Sequence, residues 1–281
     1  MLVPFLIMLR EGIEAALIVG IVAGYLKQTG RSGFMPVVWI GILLAVALSL
    51  FVGAGLQLAK AEFPQKTQEL FEAIVGLIAV AMLASMVFWM RKASRSIKSE
   101  LQGSIDRAFD GHHASTFALI GMIFLAVARE GVESVFFLLA VFQQSEGAQA
   151  PLGALLGILV SAAIGYGIYA GGIKLNLRKF FRWTGVFILI VAAGILAGAV
   201  RSLHEAGIWN GLQAIAFDLS GVLPVDSPLG TVFAGLLGYQ DTPTIGEVLV
   251  YVVFLAVALL LFLMPTSPRP AVPSNAAPTR S

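Results

Sequence analysis

The sequence predicts an all-α polytopic membrane protein. It has seven transmembrane helices, arranged as an inverted 3+3 helix repeat plus a seventh helix, with the N-terminus out and the C-terminus in. Three observations carry that prediction: the composition, the spacing of apolar runs, and a charged motif that occurs twice. Of 281 residues, 58% are from the set AVILMFWYC and only 12% are charged, about half the charged share of an ordinary soluble domain. The formal net charge of +2 offers no bulk attraction to nucleic acid. With no cysteine, disulfides, iron–sulfur clusters and thiolate metal sites are excluded, so a bound metal must use oxygen or imidazole ligands. Neither a Gly-x-x-x-x-Gly-Lys phosphate cradle nor a Gly-rich nucleotide loop occurs, so the chain does not use ATP directly.

A membrane-crossing helix needs about 20 mostly apolar residues, and the chain supplies the runs in order. The first span is residues 2–26. Its uncharged part, Ala15–Leu26, is too short to cross alone, so Arg10, Glu11 and Glu14 must lie inside it. The second is 36–58. The third, 69–90, is apolar after a first turn that carries Glu69 and Glu72. The fourth, 117–144, again holds charge near its centre, at Arg129, Glu130 and Glu133. The fifth, sixth and seventh are 151–172, 182–200 and 247–264. The N-terminus has no basic n-region and no small-residue cleavage pattern, so it reads as a retained helix. The long segment 201–246 is Gly-rich but has apolar runs at Leu212–Phe217 and Thr231–Leu237, which predict short helices packed on the outer surface. The tail, 265–281, has five prolines and reads as a disordered cytoplasmic extension. The membrane domain is thus 1–264.

Orientation follows the distribution of lysine and arginine. Thirteen of the 18 fall in segments 27–35, 91–116, 173–182 and 265–281, against three in the opposite loops; Arg10 and Arg129 lie within spans. The first set faces the cytoplasm. Trp39, Trp89 and Trp183 then sit at inner span ends, where interfacial indoles are expected.

The first span reads Arg10-Glu11-Gly12-Ile13-Glu14 and the fourth Arg129-Glu130-Gly131-Val132-Glu133. One copy runs inward and the other outward, with two spans between them, so repeat one covers about 1–92 and repeat two about 117–206. Such inverted repeats place a transport site at their interface near the midplane. Residues three apart share a helix face, so Glu11 points with Glu14 and Glu130 with Glu133. Arg10 and Arg129 are each four residues from a motif glutamate and can orient it. Gly12 and Gly131 allow a neighbour close approach. Four carboxylates and two guanidiniums sum to a formal charge of −2, which balances a hard divalent cation. Each charge at the bilayer centre costs about 2.5–3.5 kcal/mol on insertion scales, an expense that packing alone does not require.

A second carboxylate pair, Glu69 and Glu72, begins the third span, and the outer end of the sixth carries His204 and Glu205. Two acidic ends on one side suggest an outer vestibule for a cation, to which Asp218 and Asp226 could add. His112 and His113 fall in the basic inner loop and read as solvated.

On the two motif copies the sequence resembles the oxidase-dependent iron transporter, or high-affinity iron permease, family, and most nearly its bacterial members. Supporting stretches include Pro4–Gly12, Phe63–Lys66, Val87–Lys92, Ala128–Phe137, His204–Gly207 and Gly238–Gln240. The fourth motif position, Ile13 or Val132, departs conservatively from a common leucine. The resemblance implies import of iron ions across the cell inner (cytoplasmic) membrane by a multi-pass protein that is not an enzyme. It implies metal contacts at Glu11, Glu14, Glu130 and Glu133, iron as cargo with no prosthetic group, and periplasmic partners, a cupredoxin-like protein and a haem peroxidase. Beyond these, the chain's surroundings are membrane lipid and not nucleic acid. Carboxylates suit manganese as well as iron, so the residues alone leave open a proton-coupled transporter of another divalent cation such as manganese. An intramembrane metalloenzyme would need a nucleophile or a His-rich site at membrane depth, and all three histidines lie outside the spans.

Overall fold

Prolines mark several helix starts. Pro4, Pro36 and Pro151 stand within the first turns of three helices, where a missing N–H leaves no intrahelical bond unmade. The structure, a computed structural model, describes residues 1–93, 103, 105, 115–143, 149–170 and 177–264. Its principal helices are α1 (Leu2–Gln28), α2 (Met35–Glu62), α3 (Gln65–Ala93), α4 (Ser115–Gln143), α5 (Gln149–Tyr169), α6 (Leu177–Glu205), the short α7 (Pro228–Leu237) and α8 (Ile245–Leu263). No strand longer than an isolated bridge occurs among the described residues. The tail from 265, residues His112 and His113, and the connections around them lie outside the described residues.

Five helical segments are long and apolar enough to cross a membrane: 32–62, 65–90, 149–169, 179–205 and 245–263. The chain is a multi-pass membrane protein. The remaining long helices, α1 and α4, have 27 and 29 residues and are the two that carry the charged motif. Several helices outrun their apolar stretches. α6, for instance, covers 177–205 where hydropathy marks only 182–200, because its polar ends remain helical beyond the apolar run.

The helices pair across the two motif-bearing halves. α1 lies chiefly against α5, α2 against α4, and α3 against α6, with α8 packed on α6 as well. Gly153, Gly157, Ser161 and Gly165 form a row of small residues along α5, and they meet Met1, Phe5, Gly12 and Ala16 of α1 in that order. The two helices therefore run parallel and nearly touch backbones, as small-residue rows permit. α2 and α4 are likewise parallel, with Gly41 against Ile123 and Gly53 against Val135. α3 and α6 are antiparallel, with Gly76 against Ala199 and Gly185 against Val87. Two buried cores result. One gathers Val3, Ile7, Leu83, Phe137, Ile188 and Ile195. The other gathers Val22, Leu26, Val38, Leu119 and Ile123 toward the opposite ends of α1 and α4.

The segment 201–246 departs in part from expectation. Thr231–Leu237 is helical within α7, whose N-cap Ser227 accepts the Gly230 N–H at 3.0 Å. α7 stops at Gly238, where φ is +67° and the backbone abuts Gly194 of α6. Leu212–Phe217 is not helical. Its backbone instead pairs with the approach to α8: Ala216 N–H donates to Pro243 O at 2.9 Å and Ile245 N–H to Ala214 O at 2.9 Å. Six residues are too few to repay helix nucleation, and the facing segment offers bonds without that cost.

Candidate metal-ion site in the helix bundle

The motif glutamates are buried. Glu11 is 2% exposed, and Glu14, Glu130 and Glu133 are each below a tenth. One carboxylate oxygen each from Glu11, Glu130 and Glu133 lie within 4.8 Å of one another, so both copies of the motif meet in one cluster. Glu14 stands beside it. Its Oε1 is 3.2 Å from Arg10 Nε, and Glu133 and Arg129 act on it electrostatically across the helix interface. Arg10 Nη1 also approaches Glu11 Oε1 at 3.9 Å. In the second copy, Arg129 Nε donates to Glu133 Oε1 at 2.9 Å. Both oxygens of Glu11, Oε1 of Glu14 and Oε2 of Glu130 are buried without a hydrogen-bond partner. Buried carboxylate oxygens without hydrogen bonds are costly, even beside an arginine, and converging hard oxygens are the donor set that a hard divalent cation takes.

The arginines differ. Arg10 is 1% exposed, whereas the Arg129 side chain is 54% exposed and its guanidinium lies 5.3 Å from the Trp89 ring centroid. Arg129 continues an exposed row of α4 with Phe117 and Leu125, spaced for one helix face.

The motif glycines do admit a close neighbour, but that neighbour is a serine side chain. A Cβ on Gly12 would run into Ser161 Oγ of α5, and a Cβ on Gly131 into Ser49 Oγ of α2. Both hydroxyls are satisfied within their own helices: Ser161 donates to Ile158 O at 2.8 Å and Ser49 to Ala45 O at 2.9 Å. Two crossings of the same kind therefore set the positions of the two motifs. Sequence reasoning missed these serines, although an isolated serine within an apolar span was a readable signal.

A cavity of about 800 Å³ opens beside the segment 201–246 and is walled by Glu72, Arg201, Glu205, Asp226 and Tyr239, together with the first residues of α1. Glu69 lies near Glu205, and their carboxyl groups repel one another unless a proton or a cation is shared between them. Lys60 pairs with Glu72. Arg201 pairs with the buried Glu247, which also accepts from Thr244 Oγ1 at 3.2 Å. Lys60, Arg201 and Glu247 were not singled out from sequence, though charges at span ends could have drawn attention. His204 does not line this cavity. Its Nε2 lies 3.1 Å from Gly211 O, and its ring stacks 5.0 Å from Trp209. Asp218 is exposed, and Ser220 Oγ and N–H both donate to it, holding its carboxyl below the usual range.

The profile of the iron permease FTR1 family matches residues 1–267. The protein named "Ferrous iron permease EfeU" from Yersinia pestis is 54% identical over 280 residues, covering 100% of this chain and 99% of its own length. Proteins of the same name from Escherichia coli O6:K15:H31 and Shigella sonnei are each 54% identical over 265 residues, covering 94% of this chain and 96% of theirs. No solved structure matches the chain. With both copies of the charged motif in one buried cluster, and a match spanning nearly every residue, this chain belongs to the iron permease FTR1 family.

Proposed function

We propose that the chain imports iron, as the ferrous ion, across the cytoplasmic membrane through seven spans, with the N-terminus outside and the two three-helix repeats inverted. The observation that carries this reading is the meeting of Glu11, Glu130 and Glu133 from both motif copies within 4.8 Å. The names of the full-length relatives favour iron over manganese and the ferrous over the ferric state.

Iron reaches the outer cavity, where Glu72 and Glu205 supply oxygen donors with Glu69 beside them. Lys60 keeps Glu72 from holding a cation too tightly. The ion then exchanges its remaining water for carboxylate oxygens at the cluster. Arg10 and Arg129 fix Glu14 and Glu133, so that fewer side-chain rotamers must be frozen when the ion arrives. An inside-negative potential assists by about 2.3 kcal/mol per charge per 100 mV, roughly twice that for a divalent ion. The cupredoxin-like protein and the haem peroxidase would act before this step, on the outer side. Uptake of radiolabelled ferrous iron into proteoliposomes holding this chain alone tests the reading. Saturable uptake by the unaltered chain that falls to background in Glu133→Gln supports it, and equal uptake by both overturns it.

A further inference from the structure

The outer cavity and the glutamate cluster do not meet. Among the described residues, the cavity wall includes Met1, Leu2 and Val3 at the start of α1 and Gln143 at the end of α4, but no motif residue. Along α1, Ile7 stands between Val3 and Glu11, four residues from each. Along α4, Phe137 stands between Gln143 and Glu133, four residues from the glutamate. Residues four apart on a helix share a face, so each side chain lies one turn above a motif carboxylate on the cavity side. Both are 0% exposed and belong to one buried apolar core, together with Ala140 and Ala192. Val3 and Ile195 belong to that core and to the cavity wall alike.

We infer that Ile7 and Phe137 form an apolar gate between the outer cavity and the glutamate cluster, closed in this structure, whose opening admits the ion. The inference rests on the transport reading above. A hydrated divalent ion cannot enter an apolar layer that excludes water, and apolar constrictions of this kind close pores by dewetting. The layer also shields the cluster carboxylates from outside water, which strengthens their interactions with each other and with a cation. Ile188 is the internal comparison. It is equally buried in the same core but lies two turns further from the cavity along α6, whose Ile195 is in the wall.

The chain has no cysteine, so single cysteines report access cleanly. In the purified full chain, Gln143→Cys should react with an impermeant maleimide. Ala140→Cys should be unreactive in the otherwise unaltered chain, become reactive when combined with Phe137→Ala, and stay unreactive with Ile188→Ala. Downhill ferrous-iron flux into proteoliposomes should rise severalfold in Phe137→Ala and not in Ile188→Ala. Ile7→Ala, or Phe137→Val if the alanine variant does not elute as a monodisperse protein, should shift labelling and flux in the same direction. Ready labelling of Ala140→Cys without a gate mutation overturns the gate, as does equal labelling with Phe137→Ala and Ile188→Ala. If the labelling pattern holds while the unaltered chain carries no iron, the seal stands and the transport reading falls.

Discussion

The two copies of Arg-Glu-Gly-x-Glu differ only at Ile13 and Val132, yet their surroundings are unlike. In the first, the arginine is sealed inside the bundle and reaches two glutamates, Glu14 at 3.2 Å and Glu11 at 3.9 Å. In the second, the arginine bonds one glutamate and spreads over Trp89 with half its side chain exposed. The carboxylates do the opposite of diverging, since three of them from both copies share one cluster. A repeated sequence supplies the same groups twice, and the packed neighbours decide what each group does. α1 is held between α5 and α4 at its motif, while the matching face of α4 looks outward at Arg129.

That contrast can be broken by substitution, beginning with the largest effect. Glu11→Gln and Glu133→Gln keep volume and remove charge from opposite copies, and both should reduce iron uptake to background even at raised iron. Substantial uptake in either variant would mean that the two copies are not joined in one site.

Arg10→Lys should be far more damaging than Arg129→Lys. Lysine keeps the charge but cannot reproduce the guanidinium's planar fork, so it cannot hold both glutamates that the buried Arg10 reaches. Arg129 lies at the edge of the bundle against Trp89 and bonds one glutamate, so its lysine variant should keep measurable uptake and a near-normal melting temperature. Equal losses in the two variants, measured side by side, would erase the proposed asymmetry.

Gly12→Ala and Gly131→Ala sharpen the comparison from the other direction, because here the copies match. Each added Cβ meets a serine Oγ, and overpacking of this kind costs about 1–3 kcal/mol. Pairing Gly12→Ala with Ser161→Gly, and Gly131→Ala with Ser49→Gly, should restore thermal stability in both cases. Failure of both rescues would show that the crossings do not set the helix positions.

The smallest effect belongs to the cavity. Glu72→Gln should raise the iron concentration needed for half-maximal uptake by a few-fold and leave the maximal rate nearly intact. A partly exposed ion pair such as Lys60–Glu72 contributes only about 0.2–1 kcal/mol. Loss of maximal rate would move Glu72 from the cavity to the translocation step.

Much of the site was legible in the sequence, because charge in an apolar span is rare and its duplication rarer. The i,i+4 spacing predicted which glutamate would meet an arginine, and both motifs follow it; the i,i+3 partners Glu130 and Glu133 share the cluster, whereas Glu14 stands beside it. The outer segment was less legible. His204 looked like a ligand beside Glu205, but residues adjacent in sequence on a helix point about 100° apart, and the histidine turns to Gly211 and Trp209. Leu212–Phe217 has helical hydropathy, yet its backbone bonds to residues 27 to 34 positions away that no local pattern reveals.

The sequence by itself determined the helices, the apolar surfaces they present, and the two charged motifs, since each depends on residues within a few turns of one another. Only the tertiary structure decided that Glu11 joins Glu130 and Glu133 while Glu14 turns to Arg10, that serines fill the space beside the motif glycines, and that Ile7 and Phe137 close the cluster from the outer cavity. Those outcomes depend on which helices pair and in what register. Pairing is settled by packing between residues about 80 to 150 positions apart, and a single chain of letters does not contain that distance.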